Sequence, residues 1–90
     1  MSNQEILNIL RHALVEVEPR HEELARSLDL DSSLVDLGLD SLSITAMAGH
    51  VEQELDILLP DEEIASVFDV QTFVETVRRQ IATHASEITP

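Results

Sequence analysis

The sequence has no cysteine and no lysine, and its five basic residues are all arginine. Without cysteine there is no disulfide framework, thiolate zinc site or cysteine nucleophile, so stability has to come from packing. No apolar run is long enough to span a bilayer, and Met1-Ser2-Asn3-Gln4-Glu5 lacks the basic segment and apolar stretch of a secretory signal. A soluble cytoplasmic protein is the expectation. Internal repeats and low-complexity segments are also missing, and 90 residues leave room for one small domain around one core.

What is present is acid, unevenly placed. Eighteen Asp and Glu against five Arg give a formal net charge of -13, which disfavours nucleic-acid binding. Between Arg26 and Arg78 there is no basic residue other than His50, while the same stretch holds twelve carboxylates. Such a surface keeps a protein soluble and steers it toward basic partners.

Hydrophobic spacing predicts helices throughout. Ser2 and Glu5 fit a capping box, and Ile6, Leu10, Ala13, Leu14 and Val17 recur at helical spacing until Pro19, so a first helix is expected from about Asn3 to Glu16. After Pro19 comes a long polar connection in which the residues from Glu22 to Leu28 allow a short helical turn. We read it as mostly loop, pinned by Leu24, Leu28, Leu34 and Leu37. A second helix starts at Ser41, with Ile44, Met47, Ala48, Val51 and Leu55 on one face and Ser43, Ala46, Gly49, His50 and Gln53 largely on the other. Pro60 with Asp61, Glu62 and Glu63 starts a short third helix anchored by Ile64 and Val67. Asp69 caps a last helix carrying Val70, Phe73, Val74, Val77 and Ile81, and the residues from His84 onward read as a loose tail. The expected class is all-α: a small four-helix bundle with a long loop between helices one and two.

Ser41 attracts attention as a nucleophile, but its surroundings argue against that role. His50 lies nine residues along the same predicted helix, which at about 100° per residue places it on the opposite side and roughly 13 Å away along the axis. No Gly-x-Ser-x-Gly elbow surrounds Ser41 either, so a hydrolase is disfavoured. Asp29, Asp31 and Ser33 alternate like the first ligands of a calcium loop, but Leu34 replaces the needed Gly and Asp40 the needed Glu. No metal site is expected. What remains is a serine at a helix start, where an attached phosphate would lie beside unpaired N–H groups and the positive end of the helix dipole.

The run Leu34-Val35-Asp36-Leu37-Gly38-Leu39-Asp40-Ser41-Leu42 resembles the Asp-Leu-Gly-x-Asp-Ser-Leu signature of acyl carrier proteins. The resemblance covers nearly the whole chain, with a carrier domain over residues 1–84 and a flexible tail over 85–90. It implies 4′-phosphopantetheine attached to Ser41 by a magnesium-dependent phosphopantetheinyl transferase, using coenzyme A, and an acyl group held as a thioester. Asp36, Asp40, Leu42, Glu52, Glu54, Asp61, Glu62 and Glu63 become candidates for contact with the transferase and with acyl-loading and acyl-processing enzymes that have basic docking surfaces. Met47, Val51, Ile64 and Phe73 become candidates for an acyl cleft, with closed core as the equal alternative. A non-catalytic, monomeric carrier follows, in fatty-acid-type, polyketide or mixed polyketide–peptide biosynthesis. Ala46, Gly49 and His50 make the second helix blander than in fatty-acid carriers and favour a specialised pathway. The Asp-Ser-Leu triplet favours an acyl over a peptidyl or aminoacyl carrier; an acidic helical adaptor with no covalent cofactor is the alternative from another class.

The uncompensated carboxylates carry a prediction of their own. Raising salt from low concentration screens their repulsion and raises the melting temperature. A flat or falling melting temperature in a salt titration would show that self-repulsion does not limit stability.

Overall fold

Ser2 and Glu5 form the expected capping box: Ser2 Oγ accepts from the Glu5 N–H at 3.2 Å, and Glu5 Oε1 accepts from the Ser2 N–H at 2.9 Å. Helix α1, Asn3–Val17, follows and buries Ile6, Leu7, Leu10, Ala13 and Leu14 along one stripe. The structure is a computed structural model in which residues 1–88 are described.

The connection after α1 is more helical than its composition predicts. Pro19–His21 forms a 3-10 turn, and α2, Glu22–Ser27, continues from it. Pro19 suits the start of such a turn, and Arg26 pairs with Glu22 one turn earlier at 2.7 Å. The described residues therefore hold five α-helices, the four expected and this short one, within the expected all-α class. α2 is held by the burial of Ala25 and of Leu28 just beyond it; Arg11 Nε on α1 donates to the Leu28 carbonyl at 3.0 Å.

Residues 28–40 do form a long loop. Leu28 and Leu34 are fully buried and Leu24 and Leu37 pack partly buried against the core, as the leucine pattern predicts. The Asp29 carboxylate accepts from the Asp31 N–H at 2.9 Å, so the calcium-like spacing serves a turn. Ser33 makes an isolated antiparallel bridge with Asp69. There the Leu34 and Val35 N–H groups donate to the Phe68 carbonyl at 2.9 and 3.4 Å, and the Val70 N–H donates to the Ser32 carbonyl at 3.0 Å. Gly38 then takes φ +84°, a left-handed conformation open to glycine, and turns the chain into α3.

Helix α3, Ser41–Leu55, buries Ile44, Met47, Ala48 and Val51 and packs mainly on α1. It ends at Asp56, whose φ of 53° is the left-handed cap conformation. Helix α4, Asp61–Ile64, is a single turn anchored by Ile64, with Val67 buried beyond it. Helix α5, Val70–Ile88, buries Val70, Phe73, Val74 and Val77 and closes the core. It runs past His84, where the sequence reading placed a loose tail, because no helix breaker intervenes before Pro90; residues 89–90 of that tail lie outside the described residues. Among the described residues no helix is long and apolar enough to cross a membrane.

Asp69 caps α5, accepting from the Thr72 N–H at 2.7 Å. Replacing it with Ala is expected to cost about 1 kcal/mol, and thermal unfolding followed by circular dichroism should show Tm lowered by roughly 4–8 °C for a domain of this size. Asp69→Asn, which keeps an acceptor oxygen, should retain most of that stability.

Candidate functional site

Capping and display are divided between two neighbouring side chains at the start of α3. Asp40 Oδ1 accepts from the Ser43 N–H at 2.9 Å. Ser41, next along, is exposed, and its hydroxyl takes part in no hydrogen bond with the protein. The N–H groups of Ser41 and Leu42 belong to the first turn and have no carbonyl acceptor within the helix. An accessible hydroxyl at a helix N-terminus suits attachment of a phosphodiester.

The electrostatics of the site are set by Asp40. Hydrogen bonds from Ser43, the backbone N–H first, hold its carboxyl below the usual carboxylate range. Hydrogen bonds from Ser2 do the same for Glu5, and those from Thr72 for Asp69. Asp36, Asp61 and Glu62 are exposed and join no ion pair, and Asp40 and Asp61 line the same opening as Ser41.

A cleft of about 450 Å³ opens beside Ser41, between the start of α3, the loop and α4. Ser41 and Asp40 form part of its wall, with Ile44 and Thr45 one turn further along α3. Ile64 and Val67 line it from the α4 side. Val35 and Phe68, brought together by the backbone bridge, flank it while 55% and 60% exposed. No histidine lines the cleft, and Ser41 and His50 share α3, so His50 is not presented to Ser41 there.

The expected cleft residues divide. Ile64 lines the opening, but Met47, Val51 and Phe73 are fully buried core. They fall on the stripe of α3 and α5 that faces the other helices, so the closed-core alternative holds for these three. The sequence reading did not single out Val35, Leu39, Thr45, Ala65 and Phe68 as cleft residues. Thr45, four residues after Ser41 on the same helix, was within reach of a helical-face argument; Val35 and Phe68 lie in loops, where periodicity is silent.

The expected contact residues divide too. Asp36, Asp40, Leu42, Glu54, Asp61 and Glu62 are exposed, Leu42 by 79%. Glu52 is half-buried and its Oε2 accepts from the Leu59 N–H at 2.8 Å, holding the connection after α3. Glu63 is likewise half-buried, with Arg79 at 3.2 Å and Gln80 at 3.0 Å. These two acids are engaged within the fold and offer less to a partner than their neighbours do.

Residues 5–79 match the phosphopantetheine attachment site family, and the chain belongs to it. Similar proteins along most of their own length are acyl carrier proteins. The anthracycline acyl carrier protein DpsG of Streptomyces peucetius is 35% identical over 68 residues, covering 74% of this chain and 75% of that protein. The acyl carrier protein of Clostridium acetobutylicum is 40% identical over 55 residues, 57% of this chain and 71% of that protein. The non-reducing polyketide synthase dbaI of Emericella nidulans is 38% identical over 60 residues; the match covers 67% of this chain and 2% of the synthase. No solved structure matches. The family's group is covalently attached 4′-phosphopantetheine, and the free hydroxyl and open helix terminus fit such a group.

The Asp40 cap yields a pH prediction. Its proton is bound less readily in the folded chain than in the unfolded one, where the Asp pKa is about 3.9. That contribution to stability is complete above this value and is lost as pH falls through the lower folded value. Wild type should therefore lose Tm relative to Asp40→Asn, a capping residue that does not titrate, as pH drops below about 4. Parallel Tm profiles for the two proteins would contradict this.

Proposed function

We propose that this chain is an acyl carrier for polyketide- or fatty-acid-type biosynthesis, with 4′-phosphopantetheine attached at Ser41. The observation that carries the reading is the free, exposed Ser41 hydroxyl within Asp40-Ser41-Leu42, in a chain of the phosphopantetheine attachment family. A phosphopantetheinyl transferase would take up the hydroxyl proton, and the bond from Ser41 Oγ to phosphorus would form as the P–O bond within the pyrophosphate of coenzyme A breaks and adenosine 3′,5′-bisphosphate leaves. The arm's thiol supplies the thioester. The protein's own residues hold and present it: Asp40 keeps the helix start intact, and Leu42 offers an apolar contact beside the attachment atom.

The carrier needs no catalytic group of its own, and no histidine is presented to Ser41 in the cleft. Asp36, Asp40, Asp61 and Glu62 offer basic enzymes an anionic frame around the site. Relatives that are polyketide synthases or anthracycline carriers support a polyketide-type pathway.

Intact-protein mass spectrometry tests the assignment. Incubation with coenzyme A, magnesium and a broad-specificity transferase should add one phosphopantetheine to wild type and none to Ser41→Ala. An unmodified wild type, under conditions that load a control carrier, would refute it and leave the acidic adaptor standing.

A further inference from the structure

Leu58, in the connection between α3 and α4, is 80% exposed, while Ile57 and Leu59 on either side of it are buried. We propose that this leucine is a second docking point for the phosphopantetheinyl transferase, which receives it in an apolar socket rimmed by basic side chains. The proposal rests on the reading of Ser41 as the attachment point.

A lone exposed leucine is ordinary on a protein surface. This one is held out. Glu52 takes hydrogen bonds from both residues that bracket it: its main-chain carbonyl accepts from the Ile57 N–H at 3.2 Å, and its Oε2 accepts from the Leu59 N–H at 2.8 Å. Ile57 and Leu59 turn into the core, so the alternation of an extended chain sends Leu58 outward. A main chain pinned on both sides of a contact residue has little freedom left to lose when a partner binds.

The helix sets where this anchor stands. Ser41 and Glu52 are eleven residues apart on α3, about three turns, so they share a flank and lie roughly 16 Å apart along the axis. The tie to Leu59 brings the connection, and Leu58 with it, to the flank from which Ser41 projects. Transfer needs the Ser41 hydroxyl held in line with the phosphorus under attack. A single contact at Leu42, 79% exposed beside Ser41, leaves the chain free to swing about that point. A second contact three turns away fixes the direction of α3.

The transferase is the partner that meets this chain before any arm is attached, so its recognition has to come from the protein surface. Charge indicates the kind of surface that fits. Glu54 and Asp56, just before Leu58, are exposed and join no ion pair among the described residues, and no Arg or Lys lies between Arg26 and Arg78. An apolar side chain beside unpaired carboxylates complements an apolar socket whose rim is basic.

Initial rates of phosphopantetheine transfer to the full chain, with coenzyme A, magnesium and a broad-specificity transferase, test this. Leu58→Ser, at an exposed position, should raise KM for the protein roughly tenfold and leave kcat unchanged. Glu52 is a positioning residue in this account. Glu52→Ala should raise KM as well, Glu52→Gln, which keeps an acceptor oxygen, should restore most of the wild-type value, and adding Glu52→Ala to Leu58→Ser should change nothing further. A Glu52→Ala variant with lowered Tm and unmoved KM would overturn the positioning role. Equal KM for wild type and Leu58→Ser, or a loss confined to kcat, would overturn the docking point and leave the attachment reading intact. A wild-type chain that gains no mass, under conditions that load a control carrier, would overturn both readings together.

Discussion

The arrangement depends on one backbone clamp in an otherwise helical protein. Residues 28–40 run without a helix, so their main-chain polar groups need partners elsewhere. The Phe68 carbonyl takes two N–H groups from the loop, and the Ser32 carbonyl takes one from the start of α5. This sews the loop to the α4–α5 junction, and the burial of Leu34 at the same place supplies the apolar contact beneath it. From there the chain turns through Gly38, and Leu39 buries just ahead of Asp40. The position of Ser41, the wall of the cleft and the exposure of Val35 and Phe68 all follow from that clamp.

Charge is organised around the same site. From Ser41 to Val51, α3 has no Asp, Glu, Lys or Arg, while Asp36 and Asp40 precede it and Asp61 and Glu62 lie on the neighbouring turn. The surface is a nearly neutral helix face inside an acidic frame. Gly49 lowers the relief of that face further, since the space where its Cβ would stand is empty. Basic residues collect on the other elements, with Arg20 and Arg26 paired to Glu18 and Glu22 near α2 and Arg79 of α5 paired to Glu63 of α4. Exposed pairs of this kind are worth about 0–1 kcal/mol each, so they shape the field more than they stabilise the fold.

Much of this was legible from spacing and capping chemistry. The stripes of α1, α3 and α5, the Ser2–Glu5 box and the Asp69 cap are local features, and they form where the residues predict. α2 was read as loop because six residues with Ala25 as their buried member carry too little periodicity to stand out. Glu52 and Glu63 looked like free surface acids because their partners, Leu59, Arg79 and Gln80, come from elsewhere in the chain. The cleft escaped for the same kind of reason: it is made by a tertiary backbone contact between two loops. Helical periodicity pointed to Met47, Val51 and Phe73, and those are the residues that the bundle keeps for its own interior.

The division of labour at the start of α3 has a consequence for how the protein is read by others. Because Asp40 and not Ser41 secures the helix, derivatising the serine hydroxyl disturbs no hydrogen bond of the protein. On the proposed attachment at Ser41, loading leaves the Asp40 cap in place. An enzyme that has to tell an empty carrier from a full one then finds the difference in the appendage and its surroundings, not in the cap that starts the helix.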